Sequence, residues 1–318
     1  MPTSRLTVIS PCLNEEAVIR RFVEIVGDVL AQVPDIRYRL LLVDDGSKDA
    51  TAAVVDELRI GRPWLEHLVF TRNFGHQTAL SAGLEHARGE AVILMDSDLQ
   101  HPPALIPEMI ARWREGHDVV SAVRTHTVGA GRIKQLSSGI FYRIFNRMSE
   151  TRITAGAADF CLLSRRVRLS LVKMPERHRF LRGMIAWLGY PRCEVPYIAG
   201  DRAAGVSKYP LRRMVALAID AVVSFSVRPL RLAIRLGLFS VVIGMGYLGF
   251  VILSFLRGNT LSGWASIIAC ILVMGGTQLV VLGIMSEYLA RQTELLRGRP
   301  LYVVRQRSHA VWAESGGR

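Results

Sequence analysis

Two long uncharged segments near the C-terminus constrain this chain more than any other feature. Neither 236–256 nor 261–285 contains Asp, Glu, Lys or Arg. Each segment exceeds the roughly 20 residues that a helix needs to cross a bilayer. A pair of helices buried in a soluble core is the alternative, but the remainder of the chain does not supply a core for two such helices in succession. The pattern therefore predicts two transmembrane helices within 233–290.

Arginines on either side of these segments predict their orientation. The connection between the segments carries Arg257, whereas the outer flanks carry Arg228, Arg231, Arg235, Arg291, Arg297 and Arg299. Flanking cationic residues stay on the cytoplasmic side of a membrane. We therefore expect both termini, and the globular part of the chain, to be cytosolic.

The formal net charge of +13 favours either nucleic acid or an anionic membrane surface as a partner. The arginines cluster beside the uncharged segments, and no recognisable nucleic-acid module is present, so we expect the membrane and no nucleic acid. The four cysteines are far apart and form no CxxC pair, which indicates reduced thiols, with neither a zinc site nor a disulfide framework.

Strand and helix patterns alternate before the uncharged segments. Short apolar runs predict strands over 6–10, 39–43, 65–70, 91–95 and 118–123, and Asn14 could cap a helix that ends near Gln32. Such alternation predicts an α/β domain whose mostly parallel sheet is covered on both faces. Ligands of these sheets bind at the carboxyl ends of the strands, where the polar clusters of this chain lie.

These patterns divide the chain into four parts. We expect a cytosolic α/β domain over 1–208 and membrane-adjacent amphipathic helices over 209–232, broken at Pro229. Two transmembrane helices over 233–290 and a cytosolic tail over 291–318 complete the chain. A further basic amphipathic helix is expected over 129–148.

The clearest chemical signal is the sequence Asp96-Ser97-Asp98, which directly follows an apolar strand. Two carboxylates separated by one residue can hold a hard divalent cation such as Mg²⁺ or Mn²⁺ against a diphosphate. The cation would neutralise a departing nucleoside diphosphate. A solvated acidic loop is the alternative for this motif when it is considered alone.

Three motifs in order resemble inverting glycosyltransferases of family 2, which have a Rossmann-like GT-A fold. They are PCLNEE at 11–16, VDDGS at 43–47 and DSDLQHP at 96–102. The resemblance implies that the base and ribose are bound by Pro11, Leu13, Glu15 and Asp45. It also implies that Asp96, Asp98 and Gln100 surround the metal and that Arg124 meets the diphosphate.

Further segments resemble the polyprenyl-phosphate branch of that family, which includes dolichyl-phosphate mannose synthases and bactoprenol glucosyltransferases. They are RNFGHQ at 72–77, SSGIFYR at 137–143, RFLRG at 179–183 and RAAGVSKY at 202–209. The two C-terminal spans match the bacterial type, which implies a bacterial cytoplasmic membrane. His76, within the first of these segments, is interpreted as a structural or pocket-wall residue.

Asp159 matches the aspartate that is usually proposed as catalytic in these enzymes, although Ala158 stands where many relatives have glycine. A cap of a loop or helix is the alternative role. A phosphate monoester has its second pKa near 6, so the acceptor arrives mostly as a dianion. Asp159 is therefore expected to orient the sugar more than to remove a proton.

The acceptor phosphate also requires cations. Arg202 and Lys208, in a loop that precedes the membrane-adjacent helices, are the main candidates, and Lys134, Arg143 and Arg182 are weaker ones. Each of these could instead be a solvated surface charge. Glycines at 244, 246, 249, 275 and 276 suit close helix packing within or between subunits, so a homo-oligomer is one alternative.

The predicted function is inverting transfer of a sugar from a nucleotide-sugar, with UDP-glucose or a related UDP-hexose preferred, to polyprenyl (undecaprenyl) phosphate. A mannosyl or aminoarabinosyl donor is an alternative. A processive polysaccharide synthase would carry a Gln-x-x-Arg-Trp motif and more spans, neither of which is present. An inactive membrane scaffold is the remaining alternative, and the intact acidic motif argues against it.

Overall fold

A computed structural model describes residues 4–126, 157–177, 179–198, 228–257 and 263–314. These residues form an α/β unit, which includes 300–314, and a helical pair within 228–299. The helix predicted over 129–148 and most of the amphipathic segment predicted over 209–232 lie outside the described residues.

Strands and helices alternate in the α/β unit as the sequence predicts. The strands are β1 (Ser4–Cys12), β2 (Ile36–Asp44), β3 (Leu65–Phe70), β4 (Ala91–Leu94), β5 (Val119–His126), β6 (Ala157–Ser164), β7 (Arg192–Ile198), β8 (Val304–Arg307) and β9 (Ala313–Glu314). The helices are α1 (Ile19–Gln32), α2 (Thr51–Ile60), α3 (His76–His86), α4 (Ile106–Arg114), α5 (Arg165–Lys173) and α6 (Leu181–Leu188).

The described strands form one mixed sheet in the order β7-β5-β6-β4-β1-β2-β3-β8. The short strand β9 lies outside this order and pairs antiparallel with the start of β2. Parallel pairing joins β1 to β2 and β4, β2 to β3, and β5 to β7. Strand β6 runs antiparallel to both of its neighbours, β4 and β5. The expected α/β architecture is confirmed, and its parallel centre is extended by antiparallel strands.

Alternate side chains of β1 pack against different helices, as the period of a strand requires. Leu6 and Val8 share a core with Phe22 and Val26 of α1. Ile9 faces the other layer, where a Cβ atom at Gly83 of α3 would lie 2.1 Å from Ile9 Cγ2. The close approach of α3 to β1 therefore depends on this glycine.

The sequence prediction for the start of α1 is wrong. The helix begins at Ile19, and Asn14 does not cap it. Asn14 has φ 56°, its N–H donates to Ser47 Oγ at 2.9 Å, and its Oδ1 accepts from the N–H of Lys48 at 2.9 Å. Asn14 thus joins the loop after β1 to the loop after β2, because asparagine side chains bond to backbone groups outside helices as readily as at caps.

The C-terminal tail completes the sheet, which the sequence did not predict. Strand β8 pairs antiparallel with β3. The ring of Tyr302 stacks on Phe70 with centroids 4.9 Å apart, and its hydroxyl donates to Glu85 Oε2 at 2.7 Å. Ser308 Oγ accepts a hydrogen bond from the N–H of His67 at 2.7 Å. The tail is therefore an integral part of the α/β unit.

The helical pair consists of α7 (Arg228–Leu256) and α8 (Trp264–Leu296). The stretches Ala233–Ser254 and Val273–Leu296 are long and apolar enough to cross a membrane, with mean hydropathies of 2.3 and 1.3. The expected break at Pro229 falls in the first described turn of α7, at the limit of the described residues.

Candidate active site

The polar motifs meet at one edge of the sheet, where β1, β2 and β4 end. Cys12 pairs with Asp44 across β1 and β2, and Ile9 pairs with Leu94 across β1 and β4. Carboxyl ends of neighbouring parallel strands lie together, so the loops that follow them share one space. The site residues named from these three loops are thereby brought to a common edge.

Antiparallel β6 brings Asp159 to the same edge. Cys161 of β6 pairs with Leu94 of β4. Because the two strands are antiparallel, Asp159, two residues before Cys161, lies beside Asp96, two residues after Leu94. The Asp159 side chain is 9% exposed. Its carboxylate accepts from Arg182 Nε at 2.6 Å and Nη2 at 2.9 Å, and from Gln77 Nε2 at 3.2 Å. Three donors therefore hold this carboxylate in place.

The same contacts determine the protonation of Asp159. Burial alone would raise the pKa of the carboxyl, but the opposing charge of Arg182 and the hydrogen bond from His76 outweigh burial. Together they hold the pKa of Asp159 well below its usual range. Asp159 is thus an anion at neutral pH and a weak base.

His76 lies between two carboxylates, although the sequence indicated only a structural or pocket-wall residue. Its Nε2 is 3.5 Å from Asp96 Oδ1 and 3.6 Å from Asp159 Oδ2. Burial opposes protonation, but the hydrogen bond and charge of Asp159 and the charge of Asp96 raise the pKa of His76 above its ordinary value. The available signal was its position at the start of α3, directly after Gly75, whose φ is 102°.

The turn that carries Asp96 and Asp98 is fixed from several sides. Ser97 Oγ donates to the carbonyl of Pro11 at 2.9 Å, and the N–H of Gln100 donates to Asp98 Oδ1 at 3.0 Å. The N–H of Asp96 donates to Nδ1 of the buried His101 at 3.1 Å. Burial lowers the pKa of His101 to about 4, so its ring is neutral and Nδ1 can accept.

This turn fits a hard divalent cation completed by substrate oxygens. Asp96 Oδ1 is buried and has no hydrogen-bond partner in the described part of the chain, and burial raises the pKa of this carboxyl. Such an atom favours a cation. The described residues contain no group of three His, Cys, Asp or Glu side chains that could hold a metal. Two carboxylates, those of Asp96 and Asp98, would leave coordination positions for water and phosphate, as Mg²⁺ sites usually do.

Of the residues assigned to the nucleotide, Asp45 is the most constrained. Its side chain is buried, and its two oxygens accept from the N–H of Phe74 at 2.6 Å and of Gly75 at 2.9 Å. Asp45 thus anchors the loop that leads into His76, in addition to any contact with a ligand. Burial raises the pKa of this carboxyl, and the two backbone donors oppose the rise.

The other nucleotide candidates line the same edge less tightly. The N–H of Glu15 donates to Thr51 Oγ1 at 2.8 Å, which joins the loop after β1 to α2. Leu13 is 38% exposed. Arg124, in β5, is close enough for its charge to lower the pKa of Asp96. Their roles in binding a nucleotide stay predictions.

Four of the residues predicted to bind the lipid phosphate, Lys134, Arg143, Arg202 and Lys208, lie outside the described residues. Arg182, one of the weaker candidates, lies in the described part of the chain, and its role toward the phosphate stays a prediction. Its guanidinium is committed to Asp159, and its side chain is 31% exposed. Arg182 therefore neutralises Asp159 at the base of the site.

Comparison with known proteins identifies the family of the chain. The profile of glycosyl transferase family 2 matches residues 7–169. A prophage-derived bactoprenol glucosyl transferase of Shigella flexneri is 36% identical over 95% of this chain and 98% of its own. An uncharacterised glycosyltransferase of Bacillus subtilis is 37% identical over 96% of this chain and 94% of its own.

Two solved structures are more distantly similar. A mannosyltransferase of Pyrobaculum calidifontis, solved with GDP-Man and Mn²⁺, is 17% identical with a TM-score of 0.48 over 93% of this chain and 88% of that one. Glucosyl-3-phosphoglycerate synthase of Mycobacterium tuberculosis is 19% identical with a TM-score of 0.45 over 69% of this chain and 78% of that one. The family profile matches residues 7–169, and the two relatives above match nearly the whole chain. The chain therefore belongs to glycosyltransferase family 2.

Proposed function

We propose that this enzyme transfers a hexose, with inversion, from UDP-glucose or a related UDP-hexose to polyprenyl (undecaprenyl) phosphate. The observation that carries the proposal is the state of Asp159. Its carboxylate is bound by Nε and Nη2 of Arg182 and by Nε2 of Gln77. A carboxylate that is stabilised as an anion by three donors has little tendency to accept a proton.

A weak base suits an acceptor that is already an anion. A sugar hydroxyl must lose a proton as it attacks, whereas a phosphate monoester has its second pKa near 6 and is mostly a dianion at neutral pH. The attacking phosphate oxygen therefore needs positioning and charge neutralisation more than proton removal. Asp159, Arg182 and Gln77 form a rigid set that can position the sugar of the donor for in-line attack.

The turn at Asp96 and Asp98 is the proposed binding place for the donor diphosphate. A divalent cation held there, with Gln100 nearby, would neutralise charge on the leaving nucleoside diphosphate. His76, whose pKa is raised, and Arg124 add positive charge close to Asp96. Asp45 keeps the loop before His76 in place and so maintains this arrangement.

The helical pair and the relatives support a lipid acceptor in the bacterial cytoplasmic membrane. Two stretches of α7 and α8 are long and apolar enough to span a bilayer. Strands that precede the pair and strands β8 and β9 that follow it belong to one sheet. Both flanks of a spanning pair would therefore lie on the same side, which we take to be cytosolic because of the flanking arginines. A relative named as a bactoprenol glucosyl transferase matches nearly the whole chain.

The test is transfer from a panel of radiolabelled nucleotide-sugars, with and without Mg²⁺ or Mn²⁺, to undecaprenyl phosphate in detergent. We expect label in an organic-extractable lipid that releases the free sugar on mild acid, with a UDP-hexose preferred. Undecaprenol without phosphate is the matched acceptor control, and it should stay unlabelled.

Each alternative gives a different result. A processive synthase would place the label in a polymer that does not extract into organic solvent. A scaffold would transfer nothing with any donor. Equal labelling of undecaprenol and undecaprenyl phosphate would contradict the argument from the anionic acceptor, because a free alcohol would then be activated as well as a phosphate.

A further inference from the structure

A cavity lies at the edge of the sheet opposite to Asp96, away from the candidate active site. It has a volume of about 340 Å³ and is lined by Arg5, Arg88, Glu90, Arg165, Arg168 and Trp312, with Gly89. Arg5 lies at the start of β1, residues 88–90 precede β4, and Arg165 follows the last residue of β6. This edge is the one at which β1 and β4 begin, so the cavity is separate from the proposed donor site.

The charges in this cavity are unbalanced. Among the residues that the structure describes, four arginines and one acidic residue, Glu90, line it. Within the described parts of the chain, no ion pair links Arg5, Arg88 or Arg165 to a carboxylate. Arginines that gather around a cavity without carboxylate partners repel one another, and a bound anion would remove that repulsion.

Arg168 is the most informative of the four, because its side chain is buried. The residue is 8% exposed, and its Nη1 donates to the carbonyls of Leu84 at 3.1 Å and Ala87 at 2.8 Å. Its Nε is buried and has no hydrogen-bond partner among the described residues. Burial and the nearby charge of Arg165 lower the pKa of this guanidinium. A fixed, buried cation with an unused donor is costly unless an anion binds beside it.

The backbone around the cavity also favours an anion. Arg165 is the first residue of α5, a helix of nine residues, so the positive end of the helix dipole lies here; the N–H of Arg165 itself donates to the carbonyl of Glu90 at 2.7 Å. Gly89 has φ 111°, and a Cβ atom there would lie 2.5 Å from the Arg5 carbonyl oxygen, so only glycine fits. Trp312 forms an aromatic wall, and the guanidinium of Arg39 lies 4.5 Å from its ring centroid.

We propose that this cavity is a second phosphate-binding site, occupied by the phosphate of a small phosphorylated molecule or of a lipid headgroup. Arg168 and Arg165 would bind the phosphate oxygens from the helix end, and Arg5 and Arg88 would do so from the sheet edge. Arginine forks match phosphate oxygens in geometry and charge. The volume lies at the lower end of the range for small-molecule sites.

The first arm of the test uses the full chain in detergent that contains no phospholipid. Inorganic phosphate is titrated in the absence of divalent metal, and hydrogen exchange of peptides that cover 86–92 and 163–169 reports on the cavity. We expect saturable protection of both peptides. The double variant Arg88→Ala/Arg165→Ala should weaken phosphate binding at least tenfold. Arg21→Ala, an exposed arginine on α1, is the matched control and should leave it unchanged.

The second arm distinguishes a lipid source from a free one. The protein is reconstituted in phosphate-free buffer into nanodiscs of phosphatidylcholine, with or without phosphatidic acid. Protection that depends on phosphatidic acid identifies a headgroup, and protection by inorganic phosphate alone identifies a soluble ligand. Absence of protection in both arms would overturn the proposal, as would equal protection of the double variant with an unchanged melting temperature.

Discussion

Replacing Asp159 by asparagine tests the central argument about the acceptor. The change removes the negative charge and keeps the shape of the side chain. In the native site the carboxylate accepts from Arg182 Nε and Nη2 and from Gln77 Nε2. Asparagine retains one oxygen, and its amide group faces an arginine donor. We therefore expect Arg182 to lose its fixed position and the sugar of the donor to be held less precisely.

The size of the effect follows from the contacts that are lost. Hydrogen bonds to charged groups contribute about 1.5–3 kcal/mol. Every 1.4 kcal/mol of transition-state stabilisation changes the rate about tenfold. We thus expect kcat/KM of Asp159→Asn to fall by about ten- to a hundredfold. Removal of a true general base would cost about 10²- to 10⁴-fold, so the size of the loss alone does not decide.

The pH profile separates positioning from proton transfer. The pKa of Asp159 is held well below its usual range, so the carboxylate stays charged throughout the assay range and adds no ionisation of its own above pH 5. Both proteins should share one acid limb near pH 6, set by the second ionisation of the acceptor phosphate. Above it, we expect the variant to gain no activity relative to the wild type as pH rises, because loss of the Asp159 charge also lowers the pKa of His76.

Asp118→Asn provides a matched control. Asp118 is also a buried carboxylate; it pairs with Arg166 and accepts from Ser164 Oγ at 2.7 Å, at the edge of the sheet where β5 begins. This variant should lose stability but keep kcat/KM per folded molecule. The positioning argument is refuted if Asp159→Asn regains activity steeply as pH rises, because hydroxide would then be replacing a missing base.

Three further predictions concern other parts of the chain. Asp98→Ala should abolish transfer, with an unchanged melting temperature, because a ligand at the leaving diphosphate is lost; measurable turnover with the same metal dependence would contradict this. Arg202→Ala and Lys208→Ala should each lower kcat/KM for polyprenyl phosphate by about ten- to a hundredfold, from loss of a charge-assisted contact, with little change in nucleoside diphosphate binding by calorimetry. Ser308→Ala should cost about 1–3 kcal/mol of unfolding free energy, because the buried N–H of His67 loses its partner, and thermal unfolding measures this.

The parts of the fold that local patterns determine were predictable. The apolar run over 65–70 coincides with β3, and the motif at Asp96 follows β4 as expected. Ends of elements were less predictable, because tertiary contacts decide them. Asn14 has the chemistry of a helix cap, yet it bonds to the loop at Ser47 and Lys48, 33 and 34 residues away. A cap pattern contains no information about such a distant partner.

The centre of the candidate site depended on strand direction, which a single sequence does not specify. A parallel β6 would place Asp159 at the opposite end of the sheet from Asp96. The antiparallel pairing with β4 brings them together, and Arg182, 23 residues later, then meets Asp159 from α6. The sequence did not indicate the charge of His76 for a similar reason: its two carboxylate neighbours, Asp96 and Asp159, are distant in sequence. The motifs therefore predicted residues that the fold brings to one edge of the sheet, whereas the charge pairs among them depend on the topology.

The position of β8 in the chain bears on the order in which the protein is synthesised and folded. Strand β8 adds to β3, and the contact between His67 and Ser308 joins residues 241 positions apart. The tail is Val-Arg-Gln-Arg at β8, which lacks the apolar alternation that predicts a strand, so only its partner reveals it. Because the helical pair lies between these partners in the chain, the sheet cannot be completed before α7 and α8 are synthesised. If the pair crosses a membrane and α8 fails to bring the chain back to the first side, β8 cannot reach β3. Completion of the sheet would then require both flanks of a spanning pair to lie on the same side of the membrane.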